Sequence, residues 1–274
     1  MVNEISLLAE HQMRAFFRAW TVRLWISIAV LMLLTLSFGL RAHHFENGVI
    51  WEIFGRELGP LVPRMLFTFI NALLTLAVML FFPIELASSV HQFVDRPFVN
   101  FLLARPVSRT NLLVGQIAGT VAAYAIVIVA LLLAFFVLLG SKSNTWNATP
   151  FILSMFYLPL GAALHTLLTL LIIITRSIGP ALLGFLGYTF ILSRWLEYRL
   201  VGSLWWKKLA NSILDVLAHV LPPVAAASKF NQPFILSDSH SSQLSALAEP
   251  ILVCLLSTFV LAAIASYLYQ KMDL

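Results

Sequence analysis

The chain has 274 residues, 60% of them hydrophobic and only 11% charged, with a formal net charge of +5. That composition excludes an ordinary soluble domain. The 17 Lys and Arg are scattered along polar connections, where they set orientation and meet lipid headgroups, and form no surface for nucleic acid.

The apolar residues are gathered in charge-free runs near or above the ~17–25 residues that a bilayer span needs. The fold class expected is therefore all-α: a polytopic membrane protein with six transmembrane helices, preceded by an N-terminal amphipathic interfacial helix, all in one domain over 1–274. In residues 3–20, Ile5, Leu8, Ala9, Met13, Phe16, Phe17 and Trp20 recur at steps of three and four, with Glu10, His11, Arg14 and Arg18 on the other side. Such a helix suits the headgroup layer.

The first span is 24–40, followed by a polar connection, 42–63, carrying His43, His44, Glu46, Glu52 and Glu57. Two adjacent histidines without a further ligand at metal spacing read as a solvated loop. The second span, 65–84, is expected to end at Pro83, with Glu85 at a wet membrane edge.

The next stretch, 88–110, forms a basic elbow. Val94, Pro97, Phe98, Phe101 and Leu102 repeat at helical spacing, and Arg105 and Arg109 bracket Pro106-Val107-Ser108. Pro106 disfavours helix at the residue before it, and Ser108 is placed to cap the helix that follows. The third span, 112–140, carries Gly115 and Gly119, a GxxxG pair suited to close helix packing or to a dimer face.

The fourth span, 151–175, holds Pro159 and Gly161 as candidate kinks and His165 near its middle. A lone intramembrane His reads more simply as an interhelical donor than as a catalytic group. The fifth span, 177–193, is short and rich in small residues. Residues 194–249 form the longest loop, with Trp205, Trp206, Leu209, Ile213, Val216, Leu217 and Val220 on one helical face, ended by Pro222-Pro223. The sixth span is 250–269.

Six spans put both termini on one side, taken as the cytoplasm of a prokaryotic cell bounded by its plasma (inner) membrane. The 194–249 loop is then non-cytoplasmic. Lys and Arg do not decide the orientation, since eight fall on the terminal side and nine on the other. No cleavable signal peptide is expected, because the first apolar run starts about twenty residues in and lacks a small-residue exit. Cys254 stands alone, so no internal disulfide or thiol metal site is possible.

The chain carries no phosphate-binding G-x-x-x-x-G-K-[ST], no G-x-S-x-G, no H-E-x-x-H and no paired intramembrane carboxylates. An enzyme is not expected, and nearly charge-free spans argue against an ion-coupled carrier.

The segment Phe101-Leu102-Leu103-Ala104-Arg105-Pro106-Val107-Ser108-Arg109, continuing to Leu112-Leu113-Val114-Gly115-Gln116, resembles the LLxxPVSRxxxLLGK signature of ABC-2 type permeases. The C-terminal Tyr269-Gln270-Lys271-Met272-Asp273-Leu274 is similar to that family's closing F-x-x-R-D-L. Among subfamilies, the chain most resembles the NosY-like permeases, which are of about this length. Phe93 and Pro97-Phe98 stand where the family often has Glu and Gly-Thr, and Gln116 stands in place of its Lys.

The resemblance implies a half-transporter. Two permease copies, most simply a homodimer, would sit above two ABC ATPase subunits, with ATP and Mg on those partners and no cofactor or metal on this chain. Phe98, Phe101, Leu102, Arg105, Pro106, Val107, Ser108 and Arg109 would form the ATPase-coupling interface. Export, or mechanical work on a periplasmic partner held by 194–249, would follow. The alternative is a non-transporting membrane scaffold or sensor that docks a periplasmic or cytoplasmic partner.

Overall fold

The computed structural model describes residues 2–45, 48–57, 62–92, 94, 108–144, 146–193, 212, 216, 220–224 and 248–272. Helices α1 (Val2–Arg18) and α2 (Trp20–Gly39) are separated by the extended residue Ala19. Three short strands follow: β1 (Leu40–Phe45), β2 (Gly48–Ile53) and β3 (Arg56–Glu57). Next come α3 (Val62–Leu76), a π-helical turn at Ala77–Phe81 and α4 (Phe82–Gln92). Further described helices are α5 (Arg109–Ser143), α6 (Thr149–Ser154), α7 (Tyr157–Thr175), α8 (Ile178–Gly187) with a π turn at Tyr188–Leu192, and α9 (Ala248–Lys271).

Among the described residues, five helical stretches are long and apolar enough to cross a membrane: Trp20–Gly39, Met65–Gln92, Arg109–Ser143, Thr149–Thr175 and Ala248–Lys271. The expected fifth span, 177–193, is represented by the shorter apolar helix Ile178–Leu192. At 1.5 Å per residue it covers only about 22 Å, against a hydrocarbon core of about 30 Å.

The described residues are predominantly helical, in keeping with an all-α polytopic membrane protein, and the connection expected as a plain loop carries a small β-meander. The strands pair antiparallel in the order β1-β2-β3, with Arg41 opposite Glu52 and Ala42 opposite Trp51. Alternation along the strands buries Leu40 and Trp51 against the bundle while Arg41 and His43 stay exposed. His43 Nε2 lies 3.0 Å from Glu52 Oε2. Among the described residues no three metal-ligating side chains come together.

Pro83 does not end the second span, which runs on to Gln92. A proline ring clashes with the carbonyl four residues earlier, here Met79, and leaves that carbonyl without its donor. Met79 lies in the π turn, where Phe82 N–H reaches back five residues to Ala77 O. The wider turn absorbs the clash, so the helix continues. In the fourth span the break falls at Met155-Phe156, between α6 and α7, four residues before Pro159. There Leu158 N–H takes the Met155 carbonyl that Pro159 cannot. Gly161 does not interrupt the helix, and a Cβ there would meet Tyr124 and Val78 at ordinary contact distance, 3.4 and 3.6 Å.

Helix α7 is the centre of the fold, buried along nearly its whole length, with α4, α5, α8 and α9 packed around it. It ends at Arg176 in left-handed conformation (φ 52°), and α8 turns back against it. Large apolar side chains on α2 (Leu31, Phe38) and α9 (Leu252, Phe259) are exposed. That is the expected arrangement for outer helices facing lipid.

Candidate functional site

Helix α5 opens as the capping residues dictate. Ser108 is extended (φ −72°, ψ 149°), and its Oγ accepts from Asn111 N–H at 3.2 Å. That satisfies one of the donors every helix N-terminus leaves free. The helix therefore begins at Arg109, slightly ahead of the apolar run. It ends 35 residues later on Asn144 in left-handed conformation (φ 51°), a position Asn tolerates.

The first turn of α5 is held by the last turn of α9. Arg109 Nη1 donates to the backbone carbonyl of Met272 at 2.6 Å, and Gln270 Nε2 donates to Thr110 Oγ1 at 2.7 Å. Tyr269 is wholly buried at this junction, and Lys271 lies over the Tyr267 ring at 4.5 Å. Arg109 is half-buried, so its guanidinium is in part a structural group. Of the other residues expected at the coupling surface, Phe98, Phe101, Leu102, Arg105, Pro106 and Val107 lie outside the described residues, as do most of 194–249. Within that loop, Pro222 O accepts from the Tyr188 hydroxyl.

Gly115 and Gly119 face the chain's own α1. A Cβ at Gly115 would stand 2.8 Å from Leu8 Cβ, and one at Gly119 would stand 2.7 Å from Ala9 Cα. The two backbones approach closely because neither glycine carries a side chain. Helix α1 thus runs lengthwise beside the first turns of α5, Ile5 and Leu8 near Gly115 and Phe16 near Tyr124. Its outer side presents Glu10 and Arg14, which pair with each other, with His11 and Arg18. Ser89 Oγ donates to Gln12 Oε1 at 2.8 Å, and Thr21 Oγ1 donates to Glu85 Oε2 at 2.9 Å, tying α1 and α2 to α4. Glu85, expected at a wet edge, is half-buried and partnered.

An aromatic column crosses the bundle behind these contacts. Trp25 meets Phe82 edge-on at 5.5 Å, Phe82 stacks on Tyr124 at 4.8 Å, and Tyr124 meets His165 edge-on at 6.1 Å. His165 has no acidic partner among the described residues. Gln116 lies against it, the two Nε2 atoms 3.4 Å apart, and each residue is only 1% exposed. An amide N–H donating to the ring Nε2 leaves the ring's own proton on Nδ1. His165 Nδ1, Gln116 Oε1 and Thr120 Oγ1 have no hydrogen-bond partner among the described residues. Neither Gln116 nor Thr120 stood out in the sequence as a polar group. Their four-residue spacing, which puts both on one face of α5, was the available signal.

A second polar cluster sits at the α6–α7 break. Ser154 Oγ is 2.8 Å from Asn71 Oδ1, Tyr157 OH donates to Asn71 O at 3.2 Å, and Thr75 Oγ1 is 2.7 Å from Tyr157 OH. It joins α3 to the broken helix.

No protein-family model matches the chain, and no characterised protein shows significant sequence similarity to it.

Proposed function

We propose that the chain is the membrane-spanning permease subunit of an ABC-2 type transporter, which couples ATP hydrolysis on a separate subunit to export or mechanical work across a prokaryotic inner membrane. One observation carries the reading. The two stretches that resemble the family, 101–116 and 269–274, lie far apart in the chain yet meet through the Arg109–Met272 and Thr110–Gln270 hydrogen bonds. A push on the elbow that precedes Ser108 would reach α5 at its first turn and α9 through its last turn. Both helices pack on the central α7. That arrangement suits a lever better than a passive connection.

In this reading Phe98, Phe101 and Leu102 anchor in a groove of the ATPase, and Arg105 steers docking through carboxylates. Two copies of the chain and two ATPase subunits make the transporter, with both termini on the ATPase side and ATP and Mg held by the partner. Spans almost free of charge suit a neutral or lipidic cargo.

The test is affinity purification of the tagged chain from its native cells in mild detergent. An ATP-binding subunit recovered at equal stoichiometry is the expected result. Recovery of the chain alone, or with only a periplasmic protein, overturns the permease reading in favour of the scaffold.

A further inference from the structure

Between α2 and α5 lies a groove of about 290 Å³, walled by Phe17, Trp25, Val30, Leu33, Ala130 and Ala134 among others, and almost entirely apolar. Small residues make it: Ala29, Ala130 and Ala134 leave the room that larger side chains would fill. It starts at Phe17 and Trp25 and runs along two turns of α2 to Leu33.

The mouth is basic. Arg23 precedes Ile26 and Val30 by one and two helical turns, which puts it on the same side of α2 as the groove wall. Its Nε donates to Phe17 O at 3.3 Å, which holds the side chain beside the first wall residue and leaves the outer N–H groups free to turn outward. Arg18 follows Phe17 directly. Both arginines are exposed, and neither forms an ion pair with a described residue, whereas Arg14, on α1 with Arg18, is paired with Glu10. Helix α2 has 20 residues, about 30 Å at 1.5 Å each, which matches the hydrocarbon core. Arg23 in its first turn and Arg18 at the end of α1 just ahead of it therefore stand at headgroup depth, and the groove descends from that level into one leaflet. Exposed Trp20 at the same level is a common anchor for that depth.

We propose that this groove is a specific site for an anionic phospholipid, one acyl chain lying between α2 and α5 and the phosphate held by Arg23 and Arg18. A zwitterionic lipid fits the apolar wall equally well but brings an ammonium group to the two arginines. The recognised feature is thus net negative charge on the headgroup. The lipid would complete the wall along α2, where the chain's own side chains leave α5 uncovered.

The experiment is native mass spectrometry of the full-length chain in detergent, incubated with phosphatidylglycerol or with phosphatidylcholine of the same chain length. The wild-type chain should retain one phospholipid, with phosphatidylglycerol preferred. Arg23→Gln should lower phosphatidylglycerol retention by about fivefold, the share of one arginine near an anionic lipid, and leave phosphatidylcholine unchanged. Ala130 is exposed toward the groove, so Ala130→Phe should fill it and abolish retention of both lipids without disturbing the core. Equal retention of the two lipids by the wild type, or undiminished retention by Ala130→Phe, overturns the proposal. A shift from dimer to monomer in Ala130→Phe with lipid retention unchanged also overturns it, and identifies the groove as a contact between copies.

Discussion

The guanidinium of Arg109 donates to the backbone carbonyl of Met272 at 2.6 Å, joining residues 163 positions apart. A hydrogen bond to a charged group contributes about 1.5–3 kcal/mol. Arg109→Gln should therefore lower the thermal midpoint of the detergent-solubilised protein and speed proteolysis of the C-terminal end. Arg105→Glu should leave the midpoint unchanged and abolish recovery of the ATPase subunit. Equal loss of stability in the two variants would remove the division of labour between the arginines.

Gly119 touches the backbone of Ala9 directly, so any side chain there collides with main chain and not with a movable side-chain tip. Gly119→Leu should cost about 1–3 kcal/mol, as overpacking commonly does. Because α1 is the smaller body, the strain should release it from α5. Limited trypsin digestion is the readout, with faster cutting at Arg14 and Arg18 expected. An unchanged digestion pattern would mean that the contact is not what holds α1.

His165 and Gln116 share one contact within the bundle, between their Nε2 atoms at 3.4 Å, so removing one leaves the other buried without it. His165→Leu and Gln116→Leu should each destabilise by about 1–3 kcal/mol. The double variant should recover much of that loss, since an apolar pair has nothing left to satisfy. Thermal unfolding of all four proteins closes the cycle. Additive losses would show that the two residues act independently.

Glu85 accepts from Thr21 at a half-buried position between α2 and α4. Glu85→Gln keeps an acceptor oxygen there and should be nearly neutral, while Glu85→Leu orphans the threonine hydroxyl at a cost of about 1 kcal/mol. In a Thr21→Val background the Glu85→Leu loss should disappear. If it persists in that background, Glu85 serves some contact other than Thr21.

Much of the helical layout was legible in the chain because its causes are local. A charge-free run such as 112–140 is a bilayer-length helix whatever it touches, since lipid offers backbone groups no other partner. Ser108 caps α5 because its hydroxyl reaches an N–H three residues ahead, a relation contained in four consecutive residues. The clustering of Arg14, Arg18 and Arg23 at the start of the first span is likewise plain in the sequence.

The structure decided the rest, through a local irregularity at Pro83 and elsewhere through partners far along the chain. Pro83 reads as a stop, yet the π turn at Ala77–Phe81 carries the helix past it. The 42–63 connection reads as a polar loop because its buried apolar anchor, Trp51, becomes meaningful only where the bundle covers it, beside Leu40 from the expected first span. GxxxG announces close packing without naming the neighbour, and the neighbour is α1 of the same chain. His165 found Gln116 and not a carboxylate, and Arg109 found a backbone carbonyl that no side-chain pattern could announce. Hydrophobic periodicity and capping determine where helices run in the chain. Which faces meet depends on close packing and on satisfying every buried polar group at once, and that is a property of the assembled bundle.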